Sequence, residues 1–267
     1  MIESVEPRIL FAATLVTTAT TATDAATITS KINATTAGVT PGTTLKSVSV
    51  LKAVSNTTYS NLKITGQVTV TNLQNVTFSN CVIDANGAPW AIRSDYASNI
   101  QIKNCELKNS ANEAVYGDGY TITSSYIHDS KGDGFKARNN VVIQGNYITR
   151  LGTAADAHAD GVQISGGTNI RILGNYFNMP INVAGTNSNT AMFLQGATSN
   201  VVFAGNRVLG GNYSIHAYSD TSNTSIKVYS NTFVSGSCRY AFGHLGTGVM
   251  WTLNINDKGA TALTTSR

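Results

Sequence analysis

A repeat whose starting positions lie 20 to 31 residues apart runs through most of the chain and restricts its fold more than any other feature. Its units have apolar residues at the second, fourth and ninth positions, with a turn of Gly, Ser or Asn between them. Alternating apolar residues over such short lengths are typical of β-strands, so each unit predicts two of them. The units are Asn75–Ile83, Asn99–Leu107, Gly119–Ile127, Asn140–Ile148, Asn169–Phe177, Asn200–Val208 and Ser225–Phe233.

A third short strand is predicted between successive units, and these segments also align. They are Ala91–Asp95, Ala114–Asp118, Gly134–Arg138, Gly161–Ser165, Ala191–Gln195 and Ser214–Tyr218. Three short strands per repeat, joined by tight corners, predict an all-β single-stranded parallel β-helix in which each strand pairs with its counterpart one coil away. The absence of helical patterns between the units argues against βαβ units. One wholly apolar column is predicted to face the core: Ile92, Val115, Phe135, Val162, Met192 and Ile215.

Composition supports a sheet protein and argues against several other classes. Only 12% of the residues are charged and 42% are hydrophobic, which is unlike a disordered chain or a helical bundle with charged outer faces. The net charge of +4 comes from scattered Lys and Arg residues, so no nucleic acid is expected as a partner. No apolar run reaches the roughly 18 residues of a membrane helix, so no membrane span is expected.

The two ends of the chain differ from the repeats. Residues 1–23 are interpreted as an arm, because residues 12–23 are almost only Ala and Thr. Residues 24–44 are predicted to form an amphipathic helical cap, with Asp24 as its N-cap. Residues 45–267 would form the β-helix, with a C-terminal cap over Trp251–Leu263. The first 13 residues lack the features of a typical secretory signal peptide.

Two of the three cysteines, Cys81 and Cys105, are predicted neighbours in adjacent coils. They share a turn column with small polar residues, so free thiols packed in a ladder are favoured over a disulfide. The spacing of the cysteines does not suggest a metal site.

The third strand also predicts two outward columns flanking a strip of small residues. The first column is Arg93, Tyr116, Lys136, Gln163, Phe193 and His216; the second is Asp95, Asp118, Arg138, Ser165, Gln195 and Tyr218. Between large side chains, the small strip Ala91, Ala114, Gly134, Gly161, Ala191 and Ser214 would form the floor of a shallow groove. Such a groove suits an extended sugar polymer whose rings lie against aromatic side chains.

Acidic residues concentrate in the middle coils, where chemistry is most expected. Glu113, Asp133 and Asp160 occupy equivalent positions, and carboxylates stacked about 5 Å apart repel each other unless a proton, a cation or a basic neighbour intervenes. The stack therefore suggests a raised carboxyl pKa or a bound cation, and Lys136 and Arg138 could supply the compensating charge. No cofactor is required; Ca²⁺ at this cluster is the alternative, and no other metal site is predicted. An Asp before Gly also commonly caps a turn, so that structural role stays open for Asp133 and Asp160. His158, in an inserted loop, could equally be a loop hydrogen-bonding residue.

These considerations give two sets of candidate site residues. The catalytic candidates are Asp133, Lys136, Asp160 and His158. The substrate-binding candidates are Arg93, Glu113, Tyr116, Arg138, Asp156, Gln163, Phe193, His216 and Tyr218. In a lyase a basic or phenolic group would remove a proton next to a uronate, and in a hydrolase two carboxyl groups would act together.

The chain contains, in this order, an amphipathic segment, a Pro-Gly turn and coils that end in N-[IV]-x-[IF]-x-G-N. This order resembles the pectate-lyase-like superfamily of right-handed parallel β-helices, over about residues 24–260. Ser125–Gly167 is similar to bacterial and phage-associated β-helix proteins with an H-[AST]-D-G-[VI]-Q block. The opening VEPRILFAA is similar to an L-E-P-R-x-L-[LF] motif of bacterial surface proteins. The superfamily includes lyases, hydrolases, epimerases, phage tailspikes and adhesins, so the fold alone does not choose a function.

Two functions follow as expectations. The first is a surface-displayed polysaccharide-binding protein, with lyase or hydrolase activity if it is catalytic. The second is a non-catalytic structural or adhesive module, such as a virion decoration or tailspike-like protein, anchored to a virion or cell-surface component through residues 1–23. Either would be extracellular, at a cell surface or on a virion; whether it forms a homo-oligomer stays open.

Overall fold

The computed structural model describes residues 31–181, 183–218 and 224–266, which form three columns of short strands. Every pair of neighbouring strands is parallel, and each strand is in register with its counterpart in the next coil; Val115, for example, pairs with Ile92 on one side and with Phe135 on the other. The first column contains β1 (Lys46–Val48), β3 (Leu62–Thr65), β6 (Val82–Asp84), β9 (Glu106–Lys108), β12 (Tyr126–His128), β15 (Tyr147–Thr149), β17 (Tyr176–Met179), β19 (Arg207–Gly210), β22 (Thr232–Phe233) and β25 (Ile255–Asn256).

The second column contains β2 (Thr57–Ser60), β5 (Gln74–Ser79), β8 (Ser98–Lys103), β11 (Tyr120–Thr123), β14 (Val141–Gln144), β21 (Thr224–Tyr229) and β24 (Val249–Thr252). The third contains β4 (Val68–Thr69), β7 (Ile92–Ser94), β10 (Val115–Gly117), β13 (Phe135–Ala137), β20 (Ile215–Ala217), β23 (Gly243–Leu245) and β26 (Thr264–Ser266). Two long strands, β16 (Ala159–Leu173) and β18 (Ser188–Ala204), pass through both columns and join them into one sheet.

The register confirms the predicted interior row of the third column. Each of its six residues pairs with the equivalent residue of the next coil, and each is fully buried. The row is Ile92, Val115, Phe135, Val162, Met192 and Ile215. A parallel strand has no close sequence neighbour to pair with, so the fold depends on each coil finding the same register on the coil before it. The all-β parallel β-helix is therefore confirmed.

A ladder of buried asparagines connects the coils where the second column turns into the first. The side-chain oxygen of Asn175 accepts hydrogen bonds from the backbone N–H and the amide of Asn146, each at 2.9 Å. Asn175 in turn donates to the side-chain oxygen of Asn206 at 2.8 and 3.0 Å, and to the carbonyl of Ile143 at 2.9 Å. The pattern continues through Asn231 to Asn254. Each amide thereby satisfies buried backbone groups that the corner would otherwise leave unpaired.

A second, exposed asparagine ladder explains why most repeat units begin with Asn. These residues have a left-handed backbone, with φ between 51° and 58°, which Asn adopts more readily than other non-glycine residues. Where two consecutive coils both carry one, the amide of the later Asn donates to the side-chain oxygen of the earlier, at 2.8 to 2.9 Å. The residues are Asn75, Asn99, Asn140, Asn169 and Asn200.

The chain ends are described only in part. The predicted arm and the first part of the predicted helical cap lie outside the described residues. Residues 31–44 form turns, bends and irregular backbone without a helix, so the helical cap is not confirmed. At the other end, Trp251 stacks on Phe233 with ring centroids 5.3 Å apart and donates from Nε1 to the carbonyl of Ala262. Among the described residues there is no helix of the length and apolar character that crossing a membrane requires.

The buried thiols of Cys81 and Cys105 occupy the start of the buried ladder and are not joined by a disulfide. A hydrogen bond from Cys105 lowers the pKa of Cys81 to about 7, whereas burial raises the pKa of Cys105. The third cysteine, Cys238, is also free and is partly exposed.

Replacing Asn175 with Ala should destabilise the fold by roughly 3 kcal/mol, because several buried hydrogen-bonding groups lose their partner at once. Urea unfolding followed by circular dichroism measures the change. Asn112→Ala, which removes the same atoms from an exposed side chain, serves as the control. Equal unfolding midpoints for the two variants would contradict a structural role of the ladder.

A thiol-specific reagent should label only Cys238 in the native protein, because Cys81 and Cys105 are fully buried. After unfolding without a reductant, all three cysteines should react. Labelling of a single thiol in the unfolded chain would instead show that Cys81 and Cys105 form a disulfide.

Candidate functional site

The third column presents one row of side chains on its outer face. The register aligns the members of this row one coil apart, and each is partly exposed. The row is Arg93, Tyr116, Lys136, Gln163, Phe193, His216 and His244. The first six residues are those of the predicted first outward column, and the register extends it by one coil to His244.

A cavity of about 640 Å³ lies over the first part of this row and is called the acidic cleft below. Seven candidate residues line it: Arg93, Glu113, Tyr116, Asp133, Lys136, Asp156 and His158. The other six candidates, which are not among its lining residues, are Arg138, Asp160, Gln163, Phe193, His216 and Tyr218. The structure therefore brings together about half of the residues that the sequence indicates.

Asp133, which lines the acidic cleft, is hydrogen-bonded to Asp160, which does not. Asp133 Oδ1 accepts a hydrogen bond from the backbone N–H of Asp160 at 2.8 Å. Asp160 is only 3% exposed, and its Oδ1 accepts from Asn189 Nδ2 and from Thr190 Oγ1, both at 2.9 Å. Asp133 thus reaches the cavity while Asp160 lies beneath it.

Burial raises the pKa of both carboxyl groups. The pKa of Asp133 rises to about 6, with the hydrogen bond from Asp160 and the charge of Lys136 opposing the effect of burial. The pKa of Asp160 rises to about 8, because burial and the neighbouring charge of Asp133 both disfavour its ionised form. The pair therefore retains a proton near neutral pH.

Glu113 and Lys136 bring opposite charges to the same cleft. Lys136 Nζ lies 3.9 Å from Glu113 Oε1, and the side chain of Glu113 is only 8% exposed. The positive charge of Lys136 lowers the pKa of Asp133, and the negative charge of Glu113 raises it. Proton donors, a carboxylate and an ammonium group are thus available at one surface.

Trp90 forms an aromatic wall of the cleft that the sequence interpretation missed. Its ring lies 5.4 Å from that of Tyr116, and the guanidinium of Arg93 lies 4.9 Å above it. Trp90 precedes the third strand at the corner and does not belong to an outward column, so strand alternation gave no signal for it. The aromatic residue next to Pro89 was the one sequence clue.

A second cavity of about 740 Å³, called the amide cavity below, lies beside the acidic cleft. The two share Ala154, Ala157 and His158, so the inserted loop that carries His158 separates them. Much of the remaining lining is uncharged and polar, including Asn187, Asn189, Asn212, Ser188 and Thr186. These residues follow no repeat motif, and sequence reasoning did not find them.

The second predicted outward column is wrong at Asp95 and Asp118, which are 4% and 7% exposed. Asp118 Oδ1 accepts hydrogen bonds from the backbone and side chain of Asn139, at 3.1 and 2.8 Å. The side chain of Arg138 lies 3.6 Å from Asp95 and 3.9 Å from Asp118. These carboxylates hold a corner in place, and Arg138 compensates their charge.

The predicted groove floor is also wrong, because the strip of small residues faces the interior. Ala91 and Ile92 are consecutive and both fully buried, so the corner turns two successive side chains inward. A Cβ atom on Gly161 would lie 2.6 Å from the carbonyl oxygen of Ala191 and from the ring of Phe177. The small residues are therefore required by core packing rather than by a ligand.

Comparison with known proteins assigns the fold. A family model described as right handed beta helix region matches residues 66–233. The chain belongs to this family. It is accordingly a right-handed parallel β-helix, the fold that the sequence resemblance implies. No curated protein matches it by sequence.

Three solved structures resemble the chain in fold. The catalytic domain of a GH87 alpha-1,3-glucanase in complex with nigerose has 13% identity and a TM-score of 0.51, and the match covers 79% of this chain and 54% of that one. The surface adhesin PfbA of Streptococcus pneumoniae has 16% identity and a TM-score of 0.44, covering 75% and 57%. An alginate lyase from Paenibacillus sp. str. FPU-7 has 12% identity and a TM-score of 0.40, covering 83% and 82%. This chain spans about half of the glucanase domain, and the likeness concerns the fold alone.

The described residues contain no group of three or more His, Cys, Asp or Glu side chains placed to hold a metal ion. The expectation of Ca²⁺ at the acidic cluster remains an untested prediction.

The acidic pair should make the protein less stable as the pH rises from 4 to 8. The folded-state pKa values, about 6 and about 8, lie above the ordinary Asp value of 3.8, so the stabilisation is complete below about pH 4 and is lost as the pH rises through them. The variant with both Asp133→Asn and Asp160→Asn has no such carboxyl groups to ionise, so its stability should exceed that of wild type by several kcal/mol more at pH 8 than at pH 4. Thermal unfolding measured at several pH values tests this, and parallel profiles for the two proteins would contradict it.

Proposed function

We propose that this protein binds an extended polysaccharide in the acidic cleft and hydrolyses it, with Asp133 as the proton donor. The observation that carries the proposal is the Asp133 and Asp160 pair, in which a carboxyl group that lines a cavity keeps a raised pKa. Raised carboxyl pKa values in a cleft are typical of general acids.

Hydrolysis fits this arrangement better than elimination does. A lyase needs a base to remove the proton next to a uronate and a positive surface to neutralise the uronate. The acidic cleft instead has three carboxyl groups, Glu113, Asp133 and Asp156, against Arg93, Lys131 and Lys136, with His158 besides. The balanced charge gives little preference for a polyanion, and the group with a clearly raised pKa is an acid.

The reaction assigns a separate role to each carboxyl group. Asp133 Oδ1 is held by the N–H of Asp160, which leaves Oδ2 to give its proton to the glycosidic oxygen as the bond to the sugar carbon breaks. A water molecule adds to that carbon and passes a proton to a second carboxylate, for which Glu113 is the candidate. Asp160 does not line the cleft, so it acts as a positioning residue whose backbone N–H keeps Asp133 oriented, while burial keeps the pKa of Asp133 raised.

The walls of the cleft provide the surfaces that a sugar chain needs. The rings of Trp90 and Tyr116 offer apolar faces for a pyranose, while Arg93 and Lys136 can donate hydrogen bonds to hydroxyl groups. The glucanase domain with nigerose gives a precedent for a saccharide site on a β-helix. We also propose an extracellular location, at a cell surface or on a virion, with residues 1–23 as the attachment segment.

Asp133→Asn should lower the rate of hydrolysis by roughly 10²- to 10⁴-fold, because the amide cannot donate the proton. The amide oxygen can still accept the N–H of Asp160, so the fold should be retained. Release of reducing ends from soluble neutral glucans, galactomannan and alginate measures the activity. The matched control is Asp257→Asn, which changes an exposed aspartate far along the chain.

A normal rate for Asp133→Asn would contradict the assignment of the proton donor. Unsaturated products from alginate would instead indicate a lyase.

The second candidate function is non-catalytic glycan binding, as in a structural or adhesive module. It is favoured by the hydrogen bond from the Asp160 N–H to Asp133, which is also the bond that a purely structural turn residue makes. Binding of a polysaccharide without release of reducing ends, by wild type and by Asp133→Asn alike, would support this alternative.

A further inference from the structure

The outward row continues beyond the acidic cleft into a group of aromatic rings. From Lys136 the register leads through Gln163 to Phe193, His216 and His244. The rings of Phe193 and His216 lie 5.2 Å apart, and those of His216 and His244 lie 4.9 Å apart. Polar and charged residues therefore give way to aromatic ones along one continuous row.

Three further rings enlarge this group into what is called the aromatic platform below. Tyr213 lies 4.8 Å from His244 and 5.1 Å from Tyr240, and Tyr218 lies 4.5 Å from His216. Tyr240 is 62% exposed, so a ring at the edge of the group is open to a ligand. The platform comprises Phe193, Tyr213, His216, Tyr218, Tyr240 and His244.

The amide cavity adjoins the acidic cleft, and its lining includes chain neighbours of two platform residues. It shares His158 with the cleft, and it is lined by Asn212 and Arg239, which directly precede Tyr213 and Tyr240. The linings of the two cavities thus extend from the acidic cleft to residues that are adjacent in sequence to the platform.

We infer that the aromatic platform binds pyranose rings of the same polysaccharide, several sugar residues away from the bond that is cleaved, so that the protein cuts within neutral chains. This inference rests on the proposed function. The six platform residues include no carboxylate, ammonium or guanidinium group, and aromatic faces stack on the apolar faces of neutral sugars. Aromatic side chains also have few torsions, so fixing them in one conformation when the ligand binds costs little conformational entropy.

The spacing of the row fits a sugar chain. Successive coils lie about 4.8 Å apart, which is close to the length of one pyranose residue in an extended chain. Lys136 lies two coils from Phe193 and four coils from His244, or about 10 and 19 Å, so the platform would hold sugars about two to four residues from the cleft. An internal segment of a polysaccharide is long enough to contact both.

The test measures binding and cleavage separately. Electrophoresis through gels containing a neutral glucan, galactomannan or alginate measures binding in the Asp133→Asn background, which prevents degradation. Tyr213→Ala and Tyr240→Ala should each weaken binding to a neutral polymer by roughly tenfold, because each removes a stacking face. Tyr213→Phe and Tyr240→Phe keep the rings and should bind as the parent does.

Tyr96→Asn is the matched surface control, because Tyr96 is 74% exposed, lies outside the platform and has a left-handed backbone that suits Asn. Early products of the wild-type reaction should be oligosaccharides of mixed length. Three outcomes would overturn the inference and leave hydrolysis at Asp133 standing. They are unchanged binding by both Ala variants, binding of alginate alone, and early release of only mono- and disaccharides. Binding and cleavage of none of these polymers by wild type would overturn both proposals.

Discussion

The structure depends on parallel strands stacking in register, so that each coil is completed only by its neighbours. A parallel pair cannot form from a local hairpin, and the energy that holds a coil in place comes from contacts with residues about one repeat away. The buried asparagine ladder strengthens this dependence, since the amide of Asn175 bonds to the coils on both sides. Alignment of equivalent residues is the direct result.

The same alignment that builds the core also produces the site. Because equivalent positions of successive coils lie side by side, the outer face of the third column carries a continuous row from Arg93 to His244. It also brings Asp133 and Asp160 together, although a buried pair of carboxyl groups lowers stability at neutral pH. Buried groups that lower the stability of a fold are usually found where a function requires them.

Much of the fold could be predicted from the sequence, and the reason is the repeat. The interior row through Val115, Phe135 and Val162 follows from alternation alone, because a strand has only two faces. Alternation fails at corners, where Ala91 and Ile92 both turn inward and where Asp95 is buried. For the site, alignment identified Asp133, Lys136 and Tyr116, whereas Trp90 and Asn189 are positioned by corners and insertions that have no period.

The buried asparagine ladder also affects how such a rod can change its length. Each amide needs one partner on either side, and any other complete coil with an asparagine at the same place supplies them equally well. Gain or loss of a whole coil therefore leaves the network intact, whereas loss of a few residues within a coil breaks it. We therefore expect this architecture to evolve by gain or loss of whole coils. Each such change adds or removes one position in the row of side chains on the outer surface.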